Sequence, residues 1–470
     1  MSQQEVREEV REPSCGEMPG EVQKKRGRDL TEGPIGKQII LFTLPLLLGN
    51  LFQQFYNSAD AVIVGKFVGK NALAAVGNSA SIINLMVSLL MGVSMGAGVV
   101  ISRYFGAKRY EEMRQTIHTA ICFGAIAGVI LTVVGVGLTP YVLVWMQTPE
   151  TVMTESATYF RIYFCGSAFS VLYNMGSGIF RALGDSKRPL YFLIVSTLIN
   201  LTLDLLFVAV LGMGIGGAAL ATIIAQAISM SLVYWKLMTD DAVYRVRFRE
   251  LCIHGKHLRQ IVSIGLPSGI QNSVVSLSNV VVQSNINIFG DIAMAGCGAY
   301  FRLDGFALLP SGSFSMALST FVSQNLGAKQ YDRAKRGSLV GLACTMLVSE
   351  AAGILISAFA PQLIAIFNTD PEVVGYGVLM ARSIAPLYCL VAFSHGMAGV
   401  LRGAGLSRVP MFVMMGCWCV FRVIWIQTTV SLFHDIRTVF WAYPVTWIMS
   451  VTILTVYYLK VDWLHKEKLE

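Results

Sequence analysis

The chain has 470 residues, of which 54% are hydrophobic and 14% charged, and it carries a formal net charge of +8. Soluble globular domains have about 25% charged residues, so this composition excludes an ordinary soluble protein and is typical of a protein embedded in lipid. The excess of Lys and Arg does not require a nucleic-acid partner, because basic residues accumulate on the cytoplasmic face of membrane proteins, where anionic headgroups lie.

The first 37 residues mix acidic and basic side chains and contain no apolar core. They therefore do not fit a cleavable signal, and we expect residues 1–37 to form a disordered cytoplasmic tail. About twelve apolar segments follow, most of them as long as the roughly 20 residues that a membrane helix needs. They cover residues 39–68, 72–100, 116–140, 157–180, 190–211, 215–238, 261–289, 293–323, 338–360, 373–400, 409–433 and 436–459.

The last six segments repeat the first six. Gly106-Ala107-Lys108-Arg109-Tyr110 returns as Gly327-Ala328-Lys329-Gln330-Tyr331, 221 positions later (327 − 106). The same offset joins eight further pairs: Pro140 and Pro361, Thr148 and Thr369, Arg161 and Arg382, Gly178 and Gly399, Arg181 and Arg402, Gly184 and Gly405, Ser186 and Ser407, Pro189 and Pro410. Matched features in one order predict a duplicated membrane unit.

Each unit has an even number of spans, so both units enter the membrane in the same sense. We therefore predict an all-α integral membrane protein with two parallel six-helix repeats around a central cavity. The N-lobe is expected at 38–238 and the C-lobe at 261–460, joined by a cytoplasmic linker at 239–260 and followed by a short cytoplasmic tail at 461–470. Two lobes joined by a flexible strap can rock about the cavity, as alternating access requires.

The positions of Lys and Arg, which favour cytoplasmic loops, predict the orientation. If the N-terminus is inside, the inner loops carry clusters of basic residues, whereas three outer loops contain no Lys or Arg: 141–156, 212–214 and 361–372. We expect a multi-pass protein of the cell (inner) membrane with both termini in the cytoplasm.

Two aspartates lie inside the predicted spans of the N-lobe. At about 1.5 Å per residue, Asp60 in the first span and Asp204 in the fifth both lie roughly 10 to 12 Å below the outer boundary. A charge at this depth is costly, so each carboxylate is a candidate functional group. The repeat offset leads to Val281 or Val282 and to Trp425 in the C-lobe, so the acid pair belongs to one lobe only.

Asn200, one turn before Asp204, and Thr222 in the sixth span reach the same depth. Two carboxylates, an amide and a hydroxyl form a pocket for a proton or a small hard cation such as sodium. If the carboxylates meet in a dry site, we expect one to keep its proton near neutral pH, because like charges and desolvation disfavour a second negative charge. The alternative is that Asp60 has a structural partner and that Asn200 and Thr222 make ordinary interhelical hydrogen bonds.

Other polar residues in the spans are candidates for the cavity wall: Tyr56 and Asn57 in the first span, Gln271, Asn272 and Gln283 in the seventh, Arg302 in the eighth and His395 in the tenth. For Arg302 and Asp304 a structural ion pair is favoured, with Glu350 as a neighbouring acid. A buried imidazole held by its neighbours is the commoner case for His395. Gly92 and Gly96 form a GxxxG pair, which predicts close packing inside the N-lobe.

Several of these residues belong to recognisable motifs: Pro45, Asn57-Ser58-Ala59-Asp60-Ala61-Val62-Ile63-Val64-Gly65, the loop 106–110, Arg181-Ala182-Leu183-Gly184-Asp185 and Asn200-Leu201-Thr202-Leu203-Asp204. They resemble the multidrug and toxic compound extrusion (MATE) family, over about residues 36–460 and closest to its DinF-like and MepA-like branch. The resemblance implies an antiporter that exports cationic amphipathic compounds in exchange for protons or sodium.

The resemblance also implies roles for single residues. Asp60, Asn200, Asp204 and Thr222 would form the cation site, and the first helix would bend at Pro45 when the acid is protonated. Sodium-coupled members similar to NorM place acids in the seventh and tenth spans, where this chain has Gln271 and Asn272, then Ser394 and His395. Proton coupling is therefore favoured, and sodium at the N-lobe site stays open.

Two other functions remain as alternatives. A lipid-linked oligosaccharide flippase has a related fold but needs a strongly cationic cavity for a pyrophosphate, whereas the N-lobe offers carboxylates. An intramembrane enzyme needs a catalytic constellation such as an HExxH metal site, which the sequence lacks, so we expect no enzyme. The nine cysteines show no CxxC spacing, and we expect no metal and no cofactor besides the coupling ion. The expected partners are a drug-like or metabolite substrate and the lipid bilayer, with no nucleic acid, and the expected state is a monomer.

Overall fold

A computed structural model describes residues 29–145, 148–240 and 242–465, and in this part of the chain the regular structure is entirely helical. The N-lobe contains α1 Ile35–Phe67, α2 Lys70–Gly106, α3 Tyr110–Trp145, α4 Glu150–Cys165, α5 Ser167–Ala182, α6 Lys187–Asp204 and α7 Gly214–Thr239. The C-lobe contains α8 Gly255–Asn287, α9 Asp291–Ala307, α10 Leu309–Gly327, α11 Tyr331–Ala358, α12 Ala360–Ala365, α13 Pro371–Ile384, α14 Tyr388–Gly403, α15 Arg408–Met414, α16 Arg422–Phe433 and α17 Arg437–Lys460. The predicted all-α membrane protein is confirmed.

Ten helical segments of the described residues are long and apolar enough to cross a membrane. The two other predicted spans are also helical. The fourth is interrupted at Gly166, where α4 ends and α5 begins, and the seventh is the polar helix α8. Each lobe starts with a 33-residue helix that contains a proline, Pro45 in α1 and Pro267 in α8. Both prolines lie in the amino-terminal half of their helices, in keeping with the duplication.

Two further breaks in the α-helices were not apparent from the sequence. The N-lobe π-helix, Leu205–Val210, follows α6, and the C-lobe π-helix, Met415–Phe421, lies between α15 and α16. These helices belong to the fifth and eleventh spans, which are equivalent in the two repeats. A π-helical turn widens the backbone spiral locally and is frequently found at functional sites.

The lobes meet along a seam between α2 and α8. A side chain added at Gly92 would place its Cβ 2.1 Å from the Gly269 nitrogen, and one added at Gly96 would place it 2.5 Å from the Gly265 nitrogen. Only glycine permits backbones this close. The close packing predicted from the GxxxG pair is therefore present, but it joins the two lobes and does not lie inside the N-lobe.

The two copies of the repeated pentapeptide also meet between the lobes, at the ends of α2 and α10. A Cβ at Gly106 would lie 2.0 Å from the backbone carbonyl oxygen of Gln324, and a Cβ at Gly327 would lie 2.0 Å from the backbone carbonyl oxygen of Arg103. Ser323 Oγ donates to the Val99 carbonyl at 2.6 Å, and Gln324 Nε2 donates to the Ala182 carbonyl at 2.8 Å. These contacts join the lobes at the end of the molecule where α2 and α10 end.

The ordered chain begins before the boundary expected from sequence. Leu30 is buried, and its N–H donates to Gln324 Oε1 at 3.1 Å. The predicted tail thus packs against the C-lobe from residue 29 onward and enters α1 at Ile35, because an apolar side chain there can fill the groove beside α10. Residues 1–28 lie outside the described residues, so a disordered tail stays a prediction for them. At the other end Trp463 is also buried.

The linker packs against one end of the N-lobe and is not a free strap. Tyr244 and Val246 are buried, and Asp240 pairs with Arg188 at 2.5 Å and with Lys236 at 2.8 Å. Burial alone would raise the pKa of Asp240, but hydrogen bonds from Lys236, Tyr244 and Arg188 outweigh it and hold the pKa of this carboxyl below its usual value. The linker therefore moves with the N-lobe.

Candidate cation site of the N-lobe

The candidate site lies where α1, α6 and α7 meet. Asp204 is the last residue of α6 and directly precedes the N-lobe π-helix, with none of its surface exposed. Asn200, one turn earlier, and Thr222 of α7 are also buried. Spacing along the helices places these side chains at one depth, and the packing of the helices also brings them together.

A chain of hydrogen bonds connects the residues of the site. In the amide orientation that satisfies both neighbours, the Asn200 nitrogen donates to Asp204 Oδ2 at 2.8 Å, and the Asn200 oxygen accepts from the Thr222 N–H at 3.2 Å. Thr222 Oγ1 donates to the Ala218 carbonyl at 3.1 Å and lies 3.2 Å from Tyr56 Oη. A hydroxyl has one proton, so Tyr56 is the donor to Thr222.

Asp60 follows Tyr56 by one turn of α1 and interacts electrostatically with Asp204 across the site. One oxygen of each carboxylate, Asp60 Oδ1 and Asp204 Oδ1, is buried and accepts no hydrogen bond from the residues that the structure describes. Buried polar atoms without partners are rare and call for an explanation. Acceptors of this kind can be satisfied by a bound proton or by a cation with oxygen ligands.

Helix α4 adds three residues that the sequence analysis missed. Tyr159 and Tyr163 stack with their ring centroids 6.2 Å apart, and Tyr159 interacts electrostatically with Asp60 and Tyr56. Glu155 precedes Tyr159 by one turn and lies on the same face of α4, and its Oε2 is buried without a partner among the described residues. The spacing of four residues between positions 155, 159 and 163 could have indicated one polar helix face from the sequence, but Glu155 fell in a segment assigned to an outer loop.

The other candidates from sequence lie elsewhere. Pro45 is inside α1, which continues through it as one helix, and Asn57 faces outward from α1. Gln271 donates to Met414 Sδ at 2.8 Å inside the C-lobe, Asn272 beside it is half-buried, and Gln283 donates to Asn287 on its own helix at 2.9 Å. Gln271 therefore belongs to the C-lobe interior, and the polar group of Gln283 is satisfied within its own helix.

The ion pair favoured for the eighth span is not formed. Asp304 accepts hydrogen bonds from the hydroxyls of Tyr388 and Tyr300, and Arg302 lies over the ring of Phe367 at 5.7 Å. Glu350 accepts from the Cys389 N–H at 2.8 Å. Residues two apart on a helix diverge, so Arg302 and Asp304 find separate partners. His395 lies against Trp418, with ring centroids 5.4 Å apart, and lines a cavity inside the C-lobe.

One pattern in α2 matches a hydrolase motif. Gly92-Val93-Ser94-Met95-Gly96 has the GxSxG spacing, which in hydrolases places a serine on a sharp strand-to-helix turn. Here it lies within a continuous helix, and Ser94 Oγ donates to the Asn174 carbonyl at 2.8 Å. The two glycines serve the seam, so the pattern gives no support to an enzyme.

Comparisons with known proteins agree with this architecture. A family model described as MatE matches residues 45–206 and 267–426, one match in each lobe. The probable multidrug resistance protein YoeA of Bacillus subtilis is 30% identical over 439 residues, which cover 90% of this chain and 93% of that protein. The FAD transporter of Shewanella oneidensis is 25% identical over 78% of this chain and 82% of its own.

Solved structures show the same fold. An outward-facing MATE family transporter of the MOP superfamily superposes with a TM-score of 0.88 at 21% identity, over 94% of this chain and all of that one. A MOP superfamily transporter from Pyrococcus furiosus, described as having a binding pocket of reverse polarity, also has a TM-score of 0.88, at 20% identity over 94% of this chain and 100% of its own.

Proposed function

The chain belongs to the MatE family, and we propose that it is a secondary active antiporter, which exports cationic amphipathic compounds in exchange for protons or sodium. Its relatives include proteins named for multidrug resistance, which supports multidrug efflux. The observation that carries the coupling part of the proposal is the pair of unpartnered buried oxygens on Asp60 and Asp204.

The coupling ion would act by neutralising this site. Without it, two carboxylates in a poorly solvated pocket repel each other, and a proton or sodium ion removes the repulsion and satisfies both free oxygens. A ligand shifts a conformational equilibrium only by its differential affinity for the two states. The charged and the neutral site must therefore favour different positions of α1.

Helix α1 is suited to carry this change to the seam. It holds Tyr56 and Asp60 in its outer half, and Asn50 Nδ2 in its middle donates to Ser313 Oγ of the C-lobe at 2.9 Å. Pro45 has no N–H to donate to the Leu41 carbonyl, so the helix is easier to bend between the site and its cytoplasmic end. A movement of Asp60 thereby changes contacts between the lobes.

The transport test uses purified protein in proteoliposomes with an imposed pH gradient or an imposed sodium gradient. Asp60→Asn and Asp204→Asn should abolish gradient-driven export while the protein remains folded, and Asp332→Asn on the exposed start of α11 is the matched control. Export by either site variant at the wild-type rate would remove that residue from the mechanism. The gradient that drives wild-type export identifies the coupling ion.

A second substrate class has its own support. One small cavity between the lobes is lined by Arg181 and Arg402, which are equivalent in the two repeats. The rest of its described lining consists of apolar residues and hydroxyls and contains no acid. Cationic walls suit an anionic group, as in a nucleotide cofactor or a pyrophosphate. Export of an anionic flavin nucleotide, measured beside a cationic dye, decides between the two classes. Arg402→Gln should weaken only the export of the anionic compound.

A further inference from the structure

The C-lobe contains a second polar cavity, separate from the N-lobe cation site. This C-lobe cavity has a volume of about 100 Å³. It is enclosed by α8, α9, α14, α16, α17 and the C-lobe π-helix, and its polar lining consists of Asn279, Tyr300, Asp304, His395, Arg422 and Tyr443, with the indole rings of Trp418 and Trp447. At roughly 30 Å³ per water molecule, it has room for a small ion or a carboxylate group together with water.

Three hydrogen-bond donors of this cavity have no partner among the described residues. They are Arg422 Nε, Tyr443 Oη and Trp447 Nε1, and their side chains are 1%, 9% and 3% exposed. They come from one region, since the guanidinium lies 4.5 Å from the Tyr443 ring and the Tyr443 and Trp447 ring centroids are 5.9 Å apart. A buried donor left without an acceptor costs about 1–3 kcal/mol, so three in one cavity indicate an acceptor that they share.

The charge of Arg422 points to the same conclusion. Arg422 Nη2 donates to Thr446 Oγ1 at 2.9 Å, and the guanidinium lies over the rings of Tyr443 and Trp418. Asp304 is the acid of this cavity, but its Oδ1 is already held by the hydroxyls of Tyr388 and Tyr300. Within the described residues, the buried cation therefore meets rings and hydroxyls, whereas buried charges are normally paired with an opposite charge.

The backbone is also unusual at this point. Arg422 directly follows the C-lobe π-helix, as Asp204 directly precedes the N-lobe π-helix. Each charged side chain thus adjoins an irregular helical turn, and such turns are frequently found at functional sites. In the N-lobe that side chain is an anion, and in the C-lobe it is a cation.

We propose that the C-lobe cavity binds a small anion, with Arg422 Nε, Tyr443 Oη and Trp447 Nε1 as its donors. The anion is either inorganic, such as chloride, or the carboxylate group of a transported compound. An anion satisfies all three donors and the buried positive charge at once, which a water molecule does not do. This proposal is independent of ion coupling at Asp60 and Asp204.

The test measures thermal unfolding of the full-length protein in detergent, followed by intrinsic tryptophan fluorescence, at constant sodium concentration and constant ionic strength. Chloride or formate replaces gluconate, which is too large for a cavity of about 100 Å³. We expect a saturable rise in the unfolding midpoint, because a ligand that binds only the folded state stabilises it by mass action. A response to chloride identifies an inorganic anion, and a response to formate alone identifies a carboxylate.

The variants separate this site from general salt effects. Trp447→Phe and Tyr443→Phe each remove one donor, keep an aromatic ring and should weaken the response at least tenfold in anion concentration. Trp425→Phe is the matched control, because Trp425 lies outside the described lining of the cavity and its indole N–H already donates to the Thr438 carbonyl at 3.1 Å, and it should keep the wild-type response. Equal stability of the wild type in all three salts, or equal responses of Trp447→Phe and Trp425→Phe, would refute the anion site.

Discussion

Asp204 and Arg422 lie in equivalent spans of the two lobes, and each adjoins a π-helix. Both side chains are fully buried, yet they carry opposite charges. The two π-helices lie at different positions within these spans, since the offset of 221 carries Met415–Phe421 back to positions 194–200. The chemistry beside them also differs: among the described residues, Asp60 and Asp204 have buried oxygens without a donor, whereas Arg422, Tyr443 and Trp447 have buried donors without an acceptor.

The hydrogen bond from Tyr56 to Thr222 gives a first prediction. Tyr56→Phe removes the donor that links α1 to α7, and loss of one neutral hydrogen bond is worth about 1 kcal/mol. We expect an apparent affinity for the coupling ion that is lower by about fivefold, at an unchanged maximal rate. The measurement is the ion dependence of export in proteoliposomes. Tyr141→Phe on the exposed surface is the control, and an unchanged ion dependence in Tyr56→Phe would contradict a role for this bond.

Glu155 gives a prediction that the sequence did not suggest. Its Oε2 is buried without a partner among the described residues, one helical turn from Tyr159, which interacts electrostatically with Asp60. Glu155→Gln keeps the size of the side chain and should reduce attraction for the coupling cation, raising the ion concentration needed for half-maximal export. Glu150→Gln, at the exposed start of the same helix, should leave this concentration unchanged. Identical ion dependence of the two variants would show that Glu155 lies outside the site's electrostatic influence.

The glycine seam predicts a steric effect. Gly92→Ala places a methyl group against the Gly269 backbone, which cannot yield as a flexible side chain would. We expect a loss of stability of at least about 1–3 kcal/mol and impaired export, because overpacking forces backbone shifts. Gly137→Ala, with no atom within 4 Å of the added carbon, should be neutral or slightly stabilising. Thermal unfolding of the two variants in parallel checks this, and a Gly92→Ala protein as stable as wild type would mean that the lobes separate without cost.

The linker predicts a pH effect. The pKa of Asp240 is lowered in the folded protein, so its charged form contributes stability above its unfolded pKa of about 3.9, and this contribution is lost as the pH falls through the lower folded pKa. Asp240→Asn should therefore be less stable than wild type near pH 7, by about 1–3 kcal/mol, with the difference shrinking below about pH 4. Unfolding midpoints across this pH range test it, with Asp332→Asn as control. A pH-independent difference would indicate lost packing and not a lost charge.

The sequence by itself showed that the protein is embedded in lipid. It also predicted the number of spans, the duplication and the common depth of Asp60, Asn200, Asp204 and Thr222. These features are local, because span length and helical rise depend only on consecutive residues. For the same reason the sequence showed that the C-lobe lacks the acid pair.

Only the tertiary structure decided which helix faces meet. It placed Gly92 between the lobes, brought Tyr159 within electrostatic reach of Asp60 and gathered Arg422, Tyr443 and Trp447 around one cavity. Lipid gives little hydrophobic drive for one helix to choose another, so partners are selected by close packing of small residues and by polar contacts between distant segments. The pairing of helices therefore depends on the whole assembly and cannot be predicted from any single span.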